Sequence, residues 1–151
     1  MIRGRFLPPG ADIAQALRVR AAVFGQGAAD ETDAQSWHAL VYDRVDENGE
    51  PVGDACGAGR IWWQDGAFHI GRVAVMPDRR GLGLGDLLMR MLLFKALEHG
   101  ARAVVAHAPK ESAAFCARYG FPPERAVPDP DGVALRATAE QIDLSGSCCG
   151  H

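Results

Sequence analysis

Apolar and polar positions alternate from Ile2 to Leu7 with the two-residue period of a strand, and Pro8-Pro9-Gly10 closes the run, so an edge strand is expected there. The spacing then changes. Ile13, Leu17, Val19 and Val23 supply the apolar positions of a helix through about Phe24, with Asp12 as its N-cap. Gly25 to Ser36 is polar and irregular, with room for a short helical turn. Strands are expected again over Trp37 to Val45, about Cys56 to Gln64, and Ala67 to Met76. Asp46 to Pro51 is a turn with an Asn-Gly centre, and Asp65-Gly66 makes a hairpin between the last two strands.

From Leu84 onward the pattern is helical. Leu84, Leu87, Leu88, Met91, Leu92 and Lys95 mark one side of a helix over Asp86 to His99, and Met89, Leu93 and Phe94 widen its apolar face. So broad a face implies burial against a sheet. His99-Gly100 ends the helix, and Arg102 to Ala108 is a strand that should lie parallel to the one before the helix, as a βαβ crossover requires. Lys110 to Tyr119 is expected as a helix stopped by Gly120, with Ala126 to Val127 and Val133 to Thr138 as a closing hairpin. The chain shows no internal repeat and no low-complexity linker.

Between the strand ending near Met76 and the long helix lies Arg79-Arg80-Gly81-Leu82-Gly83-Leu84-Gly85. The order strand, glycine turn, helix makes a site for a phosphorylated ligand. Glycines let the backbone approach a pyrophosphate, and the first N–H groups of the following helix lack internal partners and point at the anion. Two rival phosphate motifs fail on inspection. A P-loop needs Lys-Ser/Thr after its last glycine, and here Gly85 is followed by Asp86-Leu87. A dinucleotide fingerprint needs an acidic residue at the end of the next strand, and that strand runs into His107-Ala108-Pro109.

Composition narrows the classes. A chain of 151 residues with 48% hydrophobic composition can bury the core of one domain, expected over 1–144, leaving 145–151 as a flexible tail. A net charge of −3, with lysine scarce beside arginine, offers no bulk attraction for nucleic acid. No apolar run reaches the ~20 residues needed to span a bilayer, and Met1 to Phe6 lacks the apolar core of a signal peptide, so no membrane association and a cytoplasmic location are expected. The four cysteines read as reduced thiols, because Cys56 and Cys116 fall inside predicted elements and the adjacent Cys148 and Cys149 are poorly placed to bridge each other. Cys148, Cys149 and His151 could hold a soft metal, but a mobile tail is favoured and no metal site is expected.

Arg80-Gly81-Leu82-Gly83-Leu84-Gly85 resembles, at every specified position, the Gln/Arg-x-x-Gly-x-Gly/Ala signature of the GNAT superfamily of N-acetyltransferases. Val73-Ala74-Val75-Met76-Pro77 is similar to that family's preceding strand and its proline exit, and Phe115-Cys116-Ala117-Arg118-Tyr119-Gly120-Phe121 to its later Phe-Tyr-x-x-x-Gly-Phe segment, with Cys116 departing from the tyrosine. Arg18 to Phe24, Gln26-Gly27, Glu31, Asp33, His38, Ile70 to Val75 and Asp131-Gly132-Val133 resemble an ElaA-like branch, so the resemblance covers nearly the whole chain. It implies a single α/β domain: a bent, mixed, mostly antiparallel sheet with a splayed parallel strand pair and helices on both faces.

The resemblance further implies direct transfer of acetyl from acetyl-CoA to a small-molecule or peptide amine, and it allows a homodimer. Pantetheine would pair with backbone groups of Val73, Ala74 and Val75, and the pyrophosphate would sit on Arg80, Gly81, Leu82, Gly83, Leu84 and Gly85. Arginine suits that task because its guanidinium contacts phosphate oxygens bidentately. Arg79 either helps there or is a solvated surface residue, and Asp86, which would repel phosphate, should turn its side chain away. An oxyanion donor is expected at the backbone N–H near Val73 or Val75. The acid that protonates the leaving thiolate is Tyr119 or Cys116, the latter standing where the family has tyrosine. His107, at a strand end, is the first candidate base, with His38, Glu31 and His69 as alternatives. Arg72 is expected to pair with Glu31 or Asp33 or to meet a substrate carboxylate, the ion pair being favoured. The substituted tyrosine, and Pro109 or Lys110 where the family has Asn or Gln, keep open a domain that binds acyl-CoA without turnover.

Overall fold

The chain enters the sheet as β1 (Arg3–Leu7) and leaves it through α1 (Ala14–Phe24). Asp12, the expected N-cap, lies one residue before the observed one: Ile13 occupies the cap position, and the Asp12 carboxylate accepts from the Ala14 N–H at 2.9 Å. The computed structural model describes residues 1–25 and 29–145; Gln26-Gly27 and the Cys148, Cys149 and His151 set lie outside the described residues. A short 3₁₀ turn, Glu31–Gln35, is closed by a capping box between Asp30 and Asp33. Three antiparallel strands follow, β2 (Trp37–Tyr42), β3 (Gly57–Gln64) and β4 (Ala67–Val75). β2 is shorter than its apolar run because Asp43 turns out of line to accept from Arg79, leaving Val45 only an isolated bridge to Pro51.

The long helix, α2 (Leu84–Glu98), crosses over to β5 (Ala103–Ala108), which lies parallel to β4 as expected. The helix expected over Lys110 to Tyr119 is broken into a 3₁₀ turn and a short α3 (Ala113–Ala117). Tertiary contact takes over its last turn. The Tyr119 carbonyl accepts from the Asp143 N–H, and the chain presses so closely that a Cβ on Gly120, at φ 100°, would stand 1.8 Å from the Gln141 carbonyl oxygen. The closing hairpin is β6 (Val127–Asp129) and β7 (Gly132–Thr138).

The seven strands form one open sheet in the order β1-β2-β3-β4-β5-β7-β6, antiparallel throughout except for β4 and β5. Because side chains alternate along a strand, each residue of β3 is committed to one of two unlike faces. Ile61 joins the apolar core under α2, while Ala58 joins the smaller cluster under α1. The β3–β4 register slips between Arg60, opposite Gly71, and Ala58, opposite Ala74. In this bulge Arg72 adopts φ 52°, a left-handed conformation uncommon for a residue with a side chain.

Candidate active site

β4 and β5 pair only over Phe68 to Ile70 and Val104 to Ala106. Beyond that point β4 follows β3 to Val75, while β5 follows β7 to Ala108, so the facing edges diverge. The gap opens into a cavity of about 970 Å³. Val73, Ala74 and Val75 line one wall, and Ala106 to Pro109 with Phe115 and Cys116 line the other. An edge that loses its partner strand keeps its hydrogen-bonding capacity, which is what an amide-rich ligand arm requires.

The glycine turn closes one end of this cavity. Gly83 is the N-cap of α2 at φ 82°, with no side chain to cap the helix, and the first backbone bond into it runs from the Leu87 N–H to the Gly83 carbonyl. The N–H groups of Leu84, Gly85 and Asp86 therefore face outward at the positive end of the helix. Gly81 also takes a left-handed conformation, at φ 86°, and Leu82 between them is half exposed. Arg80 folds back so that its Nε donates to the Val75 carbonyl at 3.3 Å, beside the cavity it lines. Arg79 is taken up by Asp43 and Asp78, each at 2.7 Å.

The candidate acids have different surroundings. Cys116 lines the cavity, and burial pushes its thiol up to about 11. Tyr119 is fully buried, and its hydroxyl donates to Asp86 Oδ1 at 2.5 Å. Burial, and then the Asp86 carboxylate, raise that phenol well above its ordinary value. Asp86 also accepts from Arg90 Nε at 2.9 Å, so its charge is tied sideways.

At the opposite end the imidazoles form a chain. His69 Nδ1 and His107 Nε2 are 2.8 Å apart, His69 Nε2 meets the Gln64 carbonyl at 3.1 Å, and His107 Nδ1 meets Asp129 Oδ1 at 3.1 Å. Trp62 stacks on both rings, at 5.4 and 5.5 Å between centroids. Proton counting constrains this chain. Its three hydrogen bonds end on two acceptors, a carbonyl and a carboxylate, so they need three protons. Two neutral imidazoles carry only two. With both imidazoles neutral, one of the three contacts therefore lacks its proton, and the pair has a lone pair free to accept one. Burial, and then the neighbouring His107, hold His69 below the usual histidine range.

The other candidate bases lie elsewhere. His38 is buried, with Nε2 on the Asp33 carbonyl at 3.1 Å, and burial lowers its pKa. Glu31 is exposed on the 3₁₀ turn. The expected partners of Arg72 need correction: it stands near Asp30 at 3.6 Å and Asp131 at 3.7 Å, because Asp33 is already held by two buried arginines. Arg20 grips Asp33 bidentately at 2.9 Å, and Arg60 donates to Asp33 at 2.8 Å and to Asp30 at 2.6 Å. Burial alone would raise the Asp33 carboxyl, but these bonds outweigh it and hold it well below the carboxylate range. Among the described residues no group partners Arg20 Nε, Arg60 Nε or His38 Nδ1.

Sequence reasoning did not find Asp30, Arg60, Trp62 or Asp129. Only the position of Asp129 at the tip of an expected hairpin could have drawn attention to it. Among the described residues no helix is long and apolar enough to cross a membrane.

Comparison with known proteins bears on the whole arrangement. The sequence model of the acetyltransferase (GNAT) family matches residues 12–121. The uncharacterized N-acetyltransferase YjcF of Bacillus subtilis (strain 168) is 30% identical over 92 residues, 61% of this chain and 60% of that one, so the chain spans about three fifths of that relative's length. Escherichia coli ElaA superposes with a TM-score of 0.69 at 24% identity, over 90% of this chain and 97% of that one. An acyl-CoA N-acyltransferase from Pseudomonas aeruginosa superposes with a TM-score of 0.71 at 22% identity, over 91% of this chain and all of that one. At these identities the structural likenesses speak for the fold.

Proposed function

The chain belongs to the acetyltransferase (GNAT) family, and from that premise we propose that it is an acyl-CoA-dependent N-acyltransferase, moving acetyl from acetyl-CoA directly to a primary amine of a small molecule or peptide. The observation that carries this reading is the splayed β4–β5 pair opening onto an uncapped helix N-terminus. One end of the cavity suits a pyrophosphate, its wall suits pantetheine, and the far end holds groups able to move a proton.

In this reading the N–H groups of Leu84, Gly85 and Asp86, with the Arg80 guanidinium, receive the pyrophosphate. Pantetheine lies along the free edge of Val73 to Val75, which brings the thioester near the point where the strands part. The acceptor amine must lose a proton to become nucleophilic, and the neutral His69–His107 chain takes it through His107. The amine nitrogen then bonds to the thioester carbon, the oxyanion is held by a backbone N–H near Val73 or Val75, and the C–S bond breaks. The thiolate takes its proton from Cys116, the acid that lines the cavity, or from Tyr119 once its bond to Asp86 is released.

One observation supports a second reading, an acyl-CoA-binding sensor or interaction module. Neither acid candidate is strong in the resting state, since Tyr119 is spent on Asp86 and burial makes Cys116 a weakly acidic thiol. Calorimetric titration with acetyl-CoA, followed in the same sample by a free-thiol assay against an amine panel, separates the two. Binding with amine-dependent CoA release is the expected result; binding without release favours the sensor, and no binding overturns both. Loss of turnover in Tyr119→Phe but not Cys116→Ser assigns the acid to tyrosine, and the reverse assigns it to cysteine.

A further inference from the structure

At the acceptor end of the cavity most charges are consumed by the fold. Arg20 and Arg60 are matched by Asp33 and Asp30 at 2.6 to 3.0 Å, and His107 is matched by Asp129. Arg72 and Asp131 differ from these. Both line the cavity, and about a third of each side chain is exposed, 34% and 32%. Their closest approach is 3.7 Å, and Arg72 stands 3.6 Å from Asp30, so neither contact is within hydrogen-bond reach. Among the described residues no acceptor takes any Arg72 donor. The bulge that gives Arg72 its φ of 52° sets the direction of this side chain at the place where β4 and β5 part.

An arginine held beside a cavity without hydrogen bonds keeps its planar donor fork for a ligand, and the anion that best matches that fork here is a carboxylate. Asp131, beside it, offers an acceptor for an ammonium group. Opposite charges 3.7 Å apart in a wall are answered by a ligand whose own opposite charges are equally close. An α-amino acid carries both on one carbon. A polyamine lacks the carboxylate, and the amino terminus of a peptide has its carboxylate many bonds away.

We propose that the acceptor is an α-amino acid, with its carboxylate received by Arg72 and its amino group by Asp131. This rests on the acyltransferase reading and narrows it. The site also links binding to proton removal. The Asp131 N–H donates to Asp129 Oδ2 at 3.1 Å, and the other oxygen of Asp129 meets His107. This turn keeps Asp131 two residues from the carboxylate that meets His107, so an ammonium held there is near the imidazole chain, which takes its proton before the N–C bond forms and the C–S bond breaks.

The test compares α-amino acids with their α-carboxamides and their decarboxylated amines as acceptors, in the wild type and in Arg72→Gln and Asp131→Asn, with acetyl-CoA titrated calorimetrically into each protein. The wild type should prefer the free amino acid by about 100-fold in kcat/KM. Arg72→Gln should reduce that preference to a few-fold, mainly through KM, with acetyl-CoA binding unchanged. Equal use of the decarboxylated amines, or a preference that survives Arg72→Gln, would overturn the inference and leave the transferase standing. If acetyl-CoA binds without turnover, titrating amino acids into the CoA complex decides: binding lost in Arg72→Gln supports the site, and no binding overturns it. Failure to bind acetyl-CoA would remove the transferase reading and this inference with it.

Discussion

On the face of the sheet covered by α2, Ala39, Val41, Ile61, Ile70, Val104 and Leu135 meet Leu84, Leu88, Leu92 and Leu93, all buried. On the face covered by α1, Leu40, Tyr42, Ala58 and Ala74 meet Ala16 and Val19 in a smaller cluster, and β2 to β5 then place His38, Arg60, Trp62, His69 and His107 beside one another. The first face is held by area and shape, which tolerate exchange among apolar residues of similar volume. The second is held by charges taken out of water, so each member is acceptable only while its partner is present. A consequence follows for function. The polar face can hold a strained arginine, a proton-accepting imidazole pair and a partly exposed ion pair beside the cavity, because the apolar face stabilises the sheet independently.

The sharpest way to break this contrast is Asp33→Ala. It leaves Arg20 buried without its carboxylate and Arg60 with Asp30 alone, and should cost about 3–5 kcal/mol in denaturant unfolding at neutral pH. A loss below about 1 kcal/mol would show the polar cluster to be ornamental. Leu92→Ala on the other face should cost about 2–5 kcal/mol by leaving a cavity. The two variants should then separate by pH, since the leucine loss stays constant while the ionic face titrates.

For that titration the sign is definite. His38 and His69 have folded pKa values below the ordinary one, so the unfolded chain binds more protons as the pH falls below about 6.5, and stability drops there. Asp33 and Asp30, also held low, add a second loss below about pH 4 as the unfolded chain takes up protons that the folded carboxylates refuse. Unfolding midpoints measured across that range should fall in both steps. His38→Gln should flatten the first. The smallest expected effect belongs to the glycine turn: Gly83→Ala forces a side chain to φ 82° at a local cost of about 1–2 kcal/mol. It should weaken acetyl-CoA binding about tenfold by calorimetry and lower the unfolding midpoint by only a few degrees.

How much of this could be read beforehand differs between the two faces. The apolar face was legible because burial of hydrophobic side chains writes a period into the chain, as in Leu84, Leu88 and Leu92. The glycine turn was legible because a left-handed backbone at Gly81 and Gly83 requires a particular residue type. The polar face was largely hidden. Arg60, in an alternating strand, looks like a solvated residue and is 4% exposed. His107 stood out at a strand end, but its partners His69 and Asp129 come from other strands. Lys110 to Tyr119 has a helical pattern that the returning segment near Gln141 cuts short.

The sequence by itself determined the element types, the strand-turn-helix order around Arg80 to Gly85 and the family, because local backbone preference and periodic burial act over a few neighbouring residues. Tertiary structure alone decided which carboxylate meets which arginine, that Tyr119 is spent on Asp86, and that Arg72 and Asp131 stand 3.7 Å apart beside the cavity, an ion pair without a hydrogen bond. Those outcomes depend on strand register and on the parting of β4 from β5, and a charge in a sequence carries no mark of the distant residue that will neutralise it.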